Sequence, residues 1–116
     1  EALAPEFAPH GLTINTIAPG AVLSGITEQA IRAGARAGAY ASNAQACKKT
    51  GGVSPDLTAR LVEWLLGPQA RAVTGRLISA RFDQDELRRK TARVSKDSNM
   101  FRLRRIDRVM FAPVRP

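Results

Sequence analysis

With one cysteine in 116 residues, the chain has no disulfide framework, and with one histidine it cannot assemble a zinc site. Cys47 has Lys48 and Lys49 beside it but no His or Asn at hand to make it a hydrolytic nucleophile, so it reads as a small residue packed at a helix. No apolar run approaches the roughly 20 residues that a bilayer-spanning helix needs. The expectation is a cytoplasmic chain with no membrane segment and no metal. At this length it can bury the modest core of one small domain.

Acidic excess is also missing, and the imbalance is local. Residues 1–70 carry five cations (Arg32, Arg36, Lys48, Lys49, Arg60) against five anions (Glu1, Glu6, Glu28, Asp56, Glu63). That leaves thirteen of the eighteen Lys and Arg, and five of the ten acids, to residues 71–116, which hold the whole net charge of +8. A basic segment gains from phosphate neutralisation and counterion release, so a small nucleic-acid- or anion-binding module over 71–116 is one reading. Arg88-Arg89-Lys90 and Arg102-Leu-Arg104-Arg105 have Phe101 and Phe111 nearby, but no RNA-recognition motif, zinc-finger spacing or heptad basic region accompanies them. Charge alone states nonspecific attraction.

The pattern of the chain alternates helix and strand. Residues 1–9 read as the end of a helix interrupted by Pro5 and Pro9. Residues 12–17 read as a strand buried on both faces, as in parallel sheets, bounded by Gly11 and by Pro19-Gly20. From about 24 to 52 the composition turns to Ala, Gly, Ser and Asn, so helices near 27–33 and 39–48 bury little surface and suit a lid, with Gly34 and Gly38 as hinges. The strongest helix is 55–67: Ser54 is an N-cap, Pro55 fits the first turn, Asp56 favours the positive end, and Gly67-Pro68 stops it. Leu57, Leu61, Trp64 and Leu65 form its apolar stripe, widened by Val62 and Leu66. A short strand comes next over 76–79, then a charged helix over 84–93, and 100–106 alternates enough for an edge strand or an extended arm.

Three of these segments, in this order, resemble the C-terminal part of the short-chain dehydrogenase/reductase family. The first is Gly11-Leu-Thr-Ile-Asn-Thr-Ile-Ala-Pro-Gly20 with Ser24, similar to the family's sixth strand and the loop after it. The others are Ser54 to Gly67, similar to the penultimate helix, and Ala72-Val-Thr-Gly-Arg-Leu-Ile-Ser79 with Asp83, similar to the last strand. Together they cover residues 1 to about 83, and 84–116 is left as a basic C-terminal extension. The resemblance implies an α/β fold, the C-terminal portion of a Rossmann-type doubly wound parallel sheet. It further implies an NAD or NADP cofactor in the complete protein, a small alcohol or carbonyl substrate, and a homo-oligomer formed through helix 55–67 and strand 76–79. A tail like Asp97 to Asp107 occurs in some members; it either covers a neighbour's substrate cleft or is a disordered basic tail.

Position by position, the resemblance places Pro19, Gly20, Val22 and Ser24 against the cofactor: the backbone after Pro-Gly turns toward the nicotinamide, and the hydroxyl bonds the carboxamide or pyrophosphate region. Gly allows close backbone approach and a hydroxyl both donates and accepts. Ser24 stands where Thr is more usual. No catalytic residue is assigned. The family's Tyr-x-x-x-Lys pair fails at Tyr40, whose fourth neighbour is Ala44, and Gly34-x-x-x-Gly38-Ala-Tyr40 lacks the third glycine of a pyrophosphate turn. The expectation is therefore a C-terminal piece of an oxidoreductase, inactive alone, whose catalytic residues precede Glu1. A degenerate product without activity is the remaining reading.

Overall fold

The structure, a computed structural model, describes residues 1–97 and 99–103. It begins with a short helix α1 (Leu3–Phe7) and a 3-10 turn over Ala8–His10. Strand β1 (Thr16–Ala18) comes next, then α2 (Gly25–Ala33), a 3-10 turn over Gly34–Ala37, and α3 (Ala39–Thr50). Helix α4 (Pro55–Leu66) leads to β2 (Leu77–Ser79), and α5 (Gln84–Arg89) and α6 (Thr91–Lys96) complete the described chain. The two strands pair in parallel, Thr16 with Leu77, Ile17 with Ile78 and Ala18 with Ser79. This is an α/β chain with a two-stranded parallel sheet.

Strand β1 is shorter than the 12–17 expected because its partner turns away. Gly75 lies at φ +69°, which bends the chain ahead of β2. Residues Ile14 and Asn15 therefore meet a turn and bond to it irregularly: Gly75 N–H donates to Ile14 O at 2.7 Å, and Ile14 N–H donates to Thr74 Oγ1 at 3.0 Å. The Asn15 side chain completes the join. Its Nδ2 donates to Val73 O at 2.9 Å while its Oδ1 accepts from Arg76 N–H at 3.1 Å. Regular pairing starts one residue later, where Thr16 N–H donates to Arg76 O at 2.8 Å.

Helix α4 obeys its sequence signals closely. Asp56 N–H donates to the Ser54 hydroxyl at 3.3 Å, and Gln69 Nε2 donates to Trp64 O at 2.7 Å beyond the stop. Leu61 is wholly buried, with Trp64 and Leu65 packed beside it, and joins Val73, Ile78, Leu87 and Val94 in the core. Val62 and Leu66 do not widen that stripe. They point to the opposite face, Leu66 at 83% exposure. Helices α2 and α3 contribute nothing to this core: they pack on one another, and the apolar residues they bury are Ala30, Ala41, Ala44 and Cys47. Gly34 and Gly38 bracket the turn between them at φ +54° and +55°.

The expected helix over 84–93 breaks at Lys90. The Thr91 hydroxyl donates to Leu87 O at 2.9 Å and Arg88 O at 3.1 Å, competing for carbonyls that a continuing helix uses. Packing runs without interruption across residue 83, since Leu87 and Val94 are fully buried with Ile78. Arg76 anchors the chain beyond α6. Its guanidinium, in a residue only 4% exposed, donates to Asp97 O at 2.8 Å, Met100 O at 2.7 Å and Val94 O. Leu77 N–H then donates to Phe101 O at 2.7 Å, so the chain at 101 covers the outer edge of β2. The remainder of the segment expected to extend over 100–106 lies outside the described residues.

Two outcomes test this arrangement. Arg76→Met removes a charged donor from three carbonyls and should cost roughly 3 kcal/mol in chemical unfolding, with faster amide exchange over residues 94–101. The Asp97 carboxylate accepts from Asn99 N–H at 2.8 Å and Met100 N–H at 3.3 Å, and the Asn99 bond chiefly holds its pKa below the ordinary 3.8. A depressed folded value means that its stabilisation is complete above 3.8 and is lost as pH falls through the lower folded value. The Asn99 and Met100 amide resonances should titrate in that acid range, and Asp97→Asn should abolish the titration.

Candidate functional site

Parallel strands deliver the loops that leave them to the same end of a sheet, and in open α/β sheets ligands bind outside those carboxyl ends. Here Ala18 and Ser79 end together, and Ala80 N–H donates to Ala18 O at 2.9 Å. The loop leaving β1 then folds against residues 51–53. Ala21 O accepts from Val53 N–H at 2.8 Å and from the Cys47 thiol at 3.2 Å. Gly20 makes the bend possible: φ is +85°, and a Cβ there would come within 3.1 Å of Val53 Cγ2. Close approach and a left-handed backbone both call for glycine.

The loop and α3 enclose an open cleft of about 360 Å³. Gly20, Val22 and Ser24 line it, facing Tyr40, Asn43 and Cys47 of α3. Three of the four residues expected to meet a cofactor thus share one cleft, and Pro19 lies outside its lining. Ser24 also precedes α2 in extended conformation, as an N-cap residue does, with its N–H donating to Thr27 Oγ1 at 3.4 Å. The Thr27 hydroxyl donates in turn to Val22 O at 3.1 Å, tying helix to loop. On the other side of Ser24 and Thr27 lies a second cleft, of about 370 Å³, which includes Glu28 and Lys48. Ser24 is part of the wall between an uncharged space and a charged one.

Tyr40, Asn43 and Cys47 were not among the expected site residues. Their signal was present as a spacing of three and four along α3, which aligns them on one helix face. Tyr40 lacks a lysine one turn later, so the cleft as found contains no residue arranged to transfer a proton as the tyrosine–lysine pair does. Among the described residues no cluster of three or more His, Cys, Asp or Glu is placed to hold a metal, and no helix is long and apolar enough to cross a membrane. No family model, curated protein or solved structure matches the chain.

Gly20→Ala should cost about 1–2 kcal/mol, the penalty for a left-handed L-residue, plus whatever Val53 must move. Thermal unfolding would measure the loss, and a shift of the Val53 methyl resonances would place it at this contact.

Proposed function

We propose that the chain is the C-terminal part of an NAD(P)-dependent short-chain oxidoreductase of Rossmann type, which moves hydride between a nicotinamide and an alcohol or carbonyl. The observation that carries this reading is the convergence of Gly20, Val22 and Ser24 on one cleft at the carboxyl end of a parallel strand. The residues fit the nicotinamide end of the cofactor. Gly20 lets the main chain come close, the Ser24 hydroxyl suits a carboxamide, and apolar Val22 and Ala44 offer surface for a flat ring. They do not form a pyrophosphate cradle, which needs a glycine-rich turn at a helix N-terminus. When bound, the cofactor supplies the hydride chemistry; this chain's residues bind and orient one end of it.

The catalytic tyrosine and lysine, and the glycine-rich turn, belong in this reading to sequence before Glu1. The lid is α2 and α3, held together through alanines and joined by the glycine-flanked turn. The oligomer surface is the outward face of α4, where Ala59, Val62 and Leu66 are exposed beside Arg60 and Glu63. The competing reading as a basic binding module draws less support. Arg76 is buried on main-chain carbonyls, and Leu87 and Val94 within the same segment are core residues.

Two measurements test the proposal on the 116-residue chain. Titration with NADH or NADPH should shift the amide resonances of Gly20, Val22 and Ser24, and Ser24→Ala should weaken the response several-fold, about the worth of one hydrogen bond. Shifts confined to other residues would remove the cofactor assignment. Incubated with reduced cofactor and a simple ketone, the chain should give no oxidation; turnover unaided would overturn the assignment of the catalytic pair to upstream sequence.

A further inference from the structure

A strand paired on one side presents alternate residues' main-chain groups to the other. In β2 the outward residues are Leu77 and Ser79, because Arg76 O, Ile78 and Ala80 N–H serve the ladder with β1. Both outward donors are occupied within the chain. Leu77 N–H donates to Phe101 O at 2.7 Å, and Ser79 N–H donates to the Asp83 carboxylate at 2.6 Å. The main chain of Ile17, the outward residue of β1, has no such partner among the described residues. Closure is confined to one edge of the sheet.

Several contacts hold that closure in place. Arg76 draws in the carbonyls of Asp97 and Met100, and the Asp97 carboxylate accepts from the N–H groups of Asn99 and Met100. Met100 and Phe101 pack against the core that contains Ile78. The backbone of Phe101 opposes them: φ is +53°, the left-handed region, where it is the one non-glycine among the described residues. A bulky residue keeps such a φ only where its surroundings over-determine it. Residues 99–101 are clamped on the edge of β2 against local strain.

We infer that residues 99–101 are an edge guard, an autoinhibitory contact that keeps β2 from pairing with the same strand of a second copy of this chain. The second copy is the occupant because its edge is complementary to itself. Leu77-Ile-Ser79 carries no charge, and the adjacent Arg76 is turned inward at 4% exposure, so two such edges meet without opposing cations. About a two-fold axis at Leu77, each Leu77 N–H would find the other copy's Leu77 O in place of Phe101 O. While the guard is seated, the strand 76–79 half of the expected oligomer contact is closed, and the outward face of α4 stays open. The inference rests on the geometry of β2 and is independent of the oxidoreductase reading.

Hydrogen exchange at the Leu77 amide of the full chain, followed over roughly a fiftyfold range of protein concentration, tests the guard. In the parent chain that amide should be equally protected throughout. Arg76→Met should speed its exchange about tenfold at low concentration, and protection should return at high concentration with a matching rise in particle mass by light scattering. Asp97→Ala, a change outside the core, should do the same by about threefold, so the test does not depend on Arg76→Met remaining folded. Adding Leu77→Lys to Asp97→Ala sets like charges opposite one another and should restore the parent's mass. Unchanged Leu77 exchange in both variants, or faster exchange that ignores concentration, overturns the inference. A rise in mass with Leu77 still exchanging overturns it as well, and places the contact on α4 or at Ile17.

Discussion

A single side-chain amide sets the register of this sheet. Three residues per strand give few ladder bonds, and a parallel pair of that length has little stability of its own. Asn15 adds a donor and an acceptor immediately before the ladder begins, gripping the chain on both sides of Gly75. A one-residue slip of β1 would turn Ile17 away from the core and carry the β1 loop past the end of β2. The placement of Gly20 and Ser24 over α3 is thus downstream of a hydrogen-bonded asparagine several residues away. Packing from α4 then covers the sheet on the side where Leu61 and Ile78 meet.

Arg76 plays the corresponding part for the C-terminal side. Taking a guanidinium out of water is costly unless its donors are satisfied, and here three carbonyls of residues 94–100 accept from its two Nη atoms. Arg suits this position because its planar fork reaches several acceptors at once. The next residue, Leu77, donates to Phe101, and Arg102 lies 3.5 Å from the Glu1 carboxylate. Part of the chain's positive charge is therefore structural, holding an irregular segment along a strand edge that would otherwise stand open to pairing.

Legibility in the sequence tracked the range of the forces involved. Helix α4 was readable almost to the residue because Ser54, Pro55, Asp56 and Gly67 act on their own neighbours. The division of its apolar residues was less readable: both Leu61 and Leu66 fit a helical stripe, and tertiary packing buries the first and leaves the second outside. Strand limits depended on Gly75, sixty residues from Asn15 in sequence, so the reading of 12–17 as strand overshot at its start and stopped one residue before Ala18. The break at Lys90 had a local cause in Thr91, but one polar residue in a charged helix is a faint signal. At the cleft, Gly20, Val22 and Ser24 came from resemblance, whereas Tyr40 and Asn43 needed the fold to bring α3 opposite them.

The turn between α2 and α3 is constrained by handedness. Gly34 and Gly38 hold φ +54°, ψ −127° and φ +55°, ψ −140°, and a Cβ on either would meet nothing within 4 Å. Space is plentiful there, yet ordinary side chains are excluded by the backbone. The mirror image of these angles is a relaxed extended conformation for an L-residue, so a D-amino acid would rest comfortably at either position. Chemical synthesis with D-alanine at both would narrow the conformations open to the turn. The setting of α3 against α2 is in that sense governed by stereochemistry at two α-carbons, and can be stiffened there while the walls of the cleft keep their composition.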